Sequence, residues 1–160
     1  TYNGNVKHPG VTVKTSNGVT LKKGTHYTVS YFNNSSKSIG KYTVTVKLTG
    51  SEYSGSKKLS YKIIPPKVSI SSITAKKKAF YVKWKKASVK TTGYQIQYST
   101  SSKFSSPKTK TVKSYSTIAK TISSLKGKKK YYVRVRTYKT VSSTNYYSSW
   151  SSAKSVTTKA

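Results

Sequence analysis

Aspartate, cysteine and methionine are absent from these 160 residues; Glu52 is the one acidic side chain, and His8 and His26 are the only imidazoles. Each absence removes a class of chemistry. One carboxylate cannot supply the pair of carboxyl groups that glycoside hydrolysis needs. A Ser-His-carboxylate relay would have to be drawn from Glu52, His26 and one of many accidental serines. Zinc takes four thiolate, imidazole or carboxylate ligands and calcium several carboxylate oxygens, and neither set is available. The expectation is a non-enzymatic chain with no catalytic residue, no metal site and no cofactor. Long apolar runs are missing too, so no segment reads as a transmembrane span, and Thr1 opens the chain without a signal peptide, which reads as an excised fragment.

Hydrophobic residues make up 33% of the chain, enough for one modest domain or two very small ones. Fifteen Tyr and two Trp against three Phe imply a core closed by amphipathic aromatics, each burying a ring while its polar tip finds water or backbone. The hydrophobic period is two: Val11-Thr12-Val13, Tyr27 to Tyr31 and Tyr42 to Val46 all alternate, which predicts strands. Turn signals punctuate them, with Asn17-Gly18 expected to make a two-residue hairpin turn and Lys23-Gly24, Asn33-Asn34, Gly40, Gly50 and Gly55 breaking the remainder. No segment asks for a helix. Ile63-Ile64-Pro65-Pro66 ends a strand in a donor-free pair and reads as a short, stiff joint. The fold class expected is therefore all-β, two tandem β-sandwich modules, with domains at 1–64 and 65–160.

The second module alternates in Phe80 to Trp84, Tyr94 to Tyr98 and Tyr131 to Arg136. Val82-x-Trp84, Gly93-Tyr94-x-Ile96-x-Tyr98 and Leu125-x5-Tyr131-x-Val133-x-Val135 resemble a fibronectin type III domain over about residues 66 to 159. The resemblance implies a core of Trp84, Tyr94, Ile96, Tyr98, Leu125, Tyr131, Val133 and Val135, with Leu125 and Tyr131 forming a tyrosine corner and Ser149-Trp150-Ser151 preceding the last strand. Lys126-Gly127 departs from the proline and glycine common at that corner. The first module, through Tyr2-Asn3-Gly4, Leu21-x2-Gly24-Thr25-x-Tyr27-x-Val29-x-Tyr31 and Gly40-x-Tyr42-x-Val44-x-Val46, resembles the small immunoglobulin-like repeats of large surface proteins of Firmicutes. His26 stands where such repeats often carry Asp. Absence of cysteine in a chain of this exported type points to a Gram-positive bacterium and an extracellular, secreted or surface-attached setting, although that absence taken alone also fits a cytosolic origin.

Outside the core, Tyr132, Arg134, Arg136 and Tyr138 alternate with inward residues and are expected to form a row on the outer face, with Gln95 and Gln97 on the same sheet. Rings stack on sugar faces and guanidinium forks onto anions, so this row is the candidate ligand surface; an ordinary solvated face is the alternative. Tyr146, Tyr147 and Trp150 lie nearby in sequence, with Trp150 expected to fold over the sheet edge. Charge is the anomaly: 32 basic residues against one acid give +31, with 22 of the basic residues and no acid after Ile64. Such a field attracts polyanions, including teichoic acids and other wall polymers, anionic glycans, anionic membranes and nucleic acid, and it keeps copies apart as monomers. With two arginines and no recognition helix, no sequence-specific nucleic acid binding is expected. Three readings follow in order: a structural spacer packed against neighbouring domains of a surface protein, an adhesion module for wall polyanion or glycan, and an accessory domain of a secreted enzyme.

Overall fold

Alternation lets one face of a pleated strand be buried while the other meets water, and it governs both halves of the computed structural model. The structure describes residues 1–32 and 36–160; the turn signal Asn33-Asn34 lies outside them. Among the described residues all strands and no helices are found, and the chain divides into two compact units, Tyr2–Ile63 and Ile64–Ala160.

In the first unit, β1 (Tyr27–Tyr31), β2 (Gly40–Leu48) and β3 (Ser56–Ile63) form an antiparallel sheet in the order β1-β2-β3. The register sets Val29 opposite Val46 and Tyr42 opposite Tyr61, so the apolar residues share one face, while Lys41, Thr43, Thr45 and Lys47 share the other. An irregular segment covers the apolar face, tied down by tyrosine tips: Tyr27 donates to the Val11 carbonyl (2.9 Å), Tyr31 to Pro9 (2.6 Å) and Tyr61 to Lys7 (2.9 Å). Val11 and Val13 pack from it onto Leu21, Tyr27 and Val46. The strand expected at Val11 to Val13 is not formed. Its carbonyls go to the Tyr27 hydroxyl and the Leu21 N–H, and the one bridge nearby is Lys14 with Thr20. The hairpin at Asn17-Gly18 also differs from the two-residue turn expected. Gly18 N–H donates to Thr15 C=O and Thr15 N–H to Val19 C=O, making a three-residue loop with Gly18 in the left-handed region (φ 89°) that glycine adopts at no steric cost.

The second unit is a sandwich of two sheets. One has β4 (Ile70–Lys76), β5 (Ala79–Trp84) and β8 (Ala119–Ile122); the other has β6 (Gly93–Ser99), β7 (Lys108–Val112), β9 (Lys130–Val141), β10 (Thr144–Tyr147) and β11 (Lys154–Thr157). Between them Trp84, Tyr94, Ile96, Tyr131, Val133 and Val135 join one buried cluster with Phe80 and Val82; Tyr98 and Leu125 pack against it partly buried. The hydroxyls of its tyrosines find backbone. Tyr94 accepts from Ala87 N–H (3.2 Å) and donates to Tyr115 C=O (3.1 Å), and Tyr131 accepts from Lys126 N–H (3.2 Å), so a corner closes at Lys126-Gly127 without proline. Gly93 sits where two backbones meet: a Cβ there would lie 2.0 Å from the Val112 carbonyl oxygen.

Candidate functional site

Strand β9 is twice the length of a usual strand, and its neighbours leave a gap. β11 pairs with Lys130 to Val133 and β10 with Tyr138 to Val141, so residues 134–137 have no strand beside them on that edge. Two serines fill the gap. Ser148 N–H donates to Thr137 C=O and Thr137 N–H returns to Ser148 Oγ, both at 3.1 Å. Ser151 repeats this with Val135, at 2.8 and 2.9 Å. Each hydroxyl then donates to the next carbonyl along, Ser149 or Ser152 (2.9 Å). The buried donors and acceptors of β9 are thereby satisfied by side chains where a strand is lacking.

This docking brings Tyr147 and Trp150 over the outward side chains of β9. Arg136 lies 3.9 Å from the Tyr147 ring centroid and 4.2 Å from that of Trp150; Arg134 lies 4.9 Å from Trp150 and 4.0 Å from Phe104. The contacts run in an alternating series, Phe104, Arg134, Trp150, Arg136, Tyr147, with each guanidinium against two electron-rich faces. Across the strand the same groups meet glutamines. Arg136 Nε and Nη2 both donate to Gln95 Oε1 (2.9 and 2.7 Å), Arg134 does the same to Gln97, and Gln95 and Gln97 reach on to the Thr111 and Thr109 hydroxyls (3.5 and 3.4 Å). Two rails, Thr-Gln-Arg, thus cross three strands in register. Burial lowers the pKa of both guanidinium groups; at Arg136 the Tyr147 phenol opposes this and the charge of Arg134 adds a smaller lowering, and a guanidinium stays protonated at neutral pH.

Four of the six residues expected as a ligand row are therefore joined to one another: Arg134, Arg136, Gln95 and Gln97. Tyr132 stands apart, its ring under the Lys130 ammonium (5.4 Å). Tyr138 departs from the open row expected. It is buried beneath Tyr147 (centroids 6.1 Å) and beside Gly93, because Thr137 and Tyr138 are buried in succession and break the alternation. The residues the row lacked are Phe104, Tyr147, Trp150, Ser148 and Ser151. Their signal is the spacing Tyr147-Ser148-x-Trp150-Ser151 following Arg134-x-Arg136.

In the first unit both imidazoles are engaged. His8 stacks on Tyr31 (4.1 Å), and His26 accepts the Lys22 N–H at Nδ1 (3.0 Å) with its edge to Tyr53. Glu52 is exposed in the turn before β3. A groove of about 500 Å³ runs between Val11, Val13, Leu48 and Leu59.

The sandwich, its tyrosine corner and the serine-docked segment define a class of all-β module. The fibronectin type III domain model matches residues 64–154, and the chain belongs to that family. Among solved structures, the chicken CNTN1 FN1–FN3 domains are similar at 19% identity, with 80% of this chain and 45% of that one covered and a TM-score of 0.54, a likeness of fold. A beta-1,2-glucanase from Parabacteroides distasonis is similar at 16% identity (74% of this chain, 18% of that one, TM-score 0.48), and a computer-redesigned β-sandwich protein at 17% (62% and 92%, TM-score 0.44). No match was found among curated proteins.

Proposed function

We propose that this chain is a non-catalytic spacer and interaction segment of a larger exported bacterial surface protein, its first module an immunoglobulin-like repeat and its second a fibronectin type III domain. One observation carries the reading. The planar and aromatic side chains that would make a sugar-binding row are spent on each other, so the sheet face is a clamp that fixes the last segment to β9. What the two modules offer to solvent is mostly lysine, serine and threonine, a hydrated skin that resists association between copies. Glu52 is exposed and is the one acidic side chain, so no second carboxyl group stands with it as an acid–base pair.

The test is a neutral-glycan array at physiological salt with the purified chain and its Arg134→Ala variant, beside a thermal melt of each. The reading predicts no saturable binding by either and a lower melting temperature for the variant. Saturable binding of an uncharged glycan that Arg134→Ala abolishes while the melt is unchanged would make the face a ligand site and overturn it.

A further inference from the structure

The lysines of the second module are not spread evenly. At the end of the sandwich where the chain leaves it, three segments are sewn together by backbone. Lys78 N–H donates to Lys159 C=O (3.1 Å), Lys159 N–H to Lys76 C=O (2.9 Å), Leu125 N–H to Lys78 C=O (2.9 Å) and Lys128 N–H to Thr158 C=O (3.1 Å). Thr158 Oγ1 adds a bond to Lys126 C=O (2.6 Å) and accepts one from Lys129 N–H (3.1 Å). The turn after β4, the loop before β9 and residues 158–159 are thus tied into one platform, carrying Lys76, Lys77, Lys78, Lys126, Lys128, Lys129 and Lys159. All seven are exposed, and the module has no acidic side chain to pair with them.

Beside this platform opens a cleft of about 470 Å³ between the loop after β6 and the loop before β9. Lys108, Lys126 and Lys129 stand in its walls with the hydroxyl residues Ser99, Thr100, Ser105, Ser106 and Ser124. Past Tyr98 and Ser124 it continues into a second hollow of about 410 Å³ along the open edge between β7 and β8, which adds Lys110 and Lys120. Lys108 and Lys110 project from the same side of β7, about 7 Å apart as alternate residues of a strand.

The backbone of these loops points the same way. Among the described residues, five of the seven non-glycine residues in the left-handed region lie here: Lys78, Phe104, Ser106, Ser124 and Lys128. Glycine would relieve the strain at each. Four of the five instead keep an ammonium or hydroxyl.

The geometry points to this cleft and its edge extension as a binding track for a flexible, single-stranded phosphodiester polymer. Ammonium groups at strand spacing match a chain with one negative charge per repeat, and serine and threonine hydroxyls supply donors to tetrahedral oxyanions. A sugar-stacking mode lacks its platform, because the Tyr98 and Tyr131 rings pack inward on Phe80. This goes beyond the spacer reading, which concerns the outer face of β6, β7 and β9 and stands or falls on its own test.

The experiment uses the whole chain and a labelled oligomer of glycerol phosphate, a phosphodiester chain with neither bases nor sugar rings, followed by anisotropy across a salt series. Two triple variants remove equal charge. Lys108→Gln/Lys126→Gln/Lys129→Gln strips the cleft; Lys83→Gln/Lys85→Gln/Lys90→Gln strips β5 and the segment after it. At about 0.15 M salt the cleft variant should bind at least about tenfold more weakly and lose about two units of salt slope, for three lost phosphate contacts. The control variant should change affinity by less than about twofold. Melts of both variants verify the fold. Equal weakening by the two variants, or no binding by the parent chain at that salt, overturns the track in favour of a diffuse field or none. Dextran sulfate binding as tightly as the oligomer, with the same loss in the cleft variant, overturns the phosphodiester assignment; duplex DNA doing so overturns the flexible, single-stranded one.

Discussion

Replacing Arg136 by lysine keeps the charge and removes the geometry, which separates the clamp from simple electrostatics. Arginine holds Gln95 Oε1 through two N–H groups and lies flat against Tyr147 and Trp150. A lysine ammonium can keep one hydrogen bond and face one ring. The lost bond contributes about 1 kcal/mol and the lost stacking contact about 1 kcal/mol at a half-buried site, for a total near 2 kcal/mol. For a module of this size that lowers the melting temperature by roughly 8–16 °C. Both tryptophans, Trp84 and Trp150, lie in the second module, so tryptophan fluorescence during urea unfolding reads that module without interference from the first. The slope with urea should be unchanged and the midpoint lowered. Because Trp150 contacts both arginines, Arg134→Lys in the same background should show a coupling of at least about 0.5 kcal/mol. If Arg136→Lys shifts stability by less than about 0.5 kcal/mol, as an exposed cation would, the clamp argument is wrong.

Three further expectations rest on particular atoms. Gly93→Ala forces a methyl into the Val112 carbonyl and the Tyr138 ring, and should cost about 2–4 kcal/mol by parting β6 from β7, read as a lowered melting temperature; an unchanged melt would mean the two strands do not approach so closely. Ser151→Ala leaves the Val135 N–H buried without its acceptor and should cost about 1–3 kcal/mol, with accelerated hydrogen exchange at Val135; retained protection there would contradict the serine docking. Burial, and then neighbouring Tyr147, raise the Tyr138 pKa. The unfolded phenol therefore ionises first, and this tyrosine's contribution, complete below about pH 10, is lost as pH rises through the folded value, at up to about 1.4 kcal/mol per pH unit. Tyr138→Phe should accordingly lose less stability than the parent chain above pH 10. Lysine neutralisation is common to both and cancels, so parallel alkaline stability curves would refute the shift.

How much of this was legible in sequence follows from which groups interact locally. Alternation located β1, β2, β5, β6 and β9, since each buries one side of a strand. It did not reveal β7, whose Lys-Thr-Lys-Thr run is exposed until Val112, because an edge strand beyond the core has no apolar face to announce it. It misread Val11 to Val13, where alternating valines pack onto a core from irregular chain held by tyrosine hydroxyls. In the candidate site, the period of two correctly put Arg134, Arg136, Gln95 and Gln97 on one sheet face. What they do there depends on a segment that folds back from residues 147–151, and a pattern along one strand carries no information about a register set by two serine hydroxyls.

The central claim, that the two guanidinium groups are locked between rings and glutamines as part of the fold, can be read directly because Arg134 and Arg136 are the only arginines. A nitrogen-15 proton correlation spectrum therefore contains two arginine Nε–H signals. The account predicts two separate signals displaced by ring currents, slow to exchange with water, showing close contacts to Trp150 protons and unmoved by salt. Two coincident, rapidly exchanging signals at the position of free arginine would contradict it.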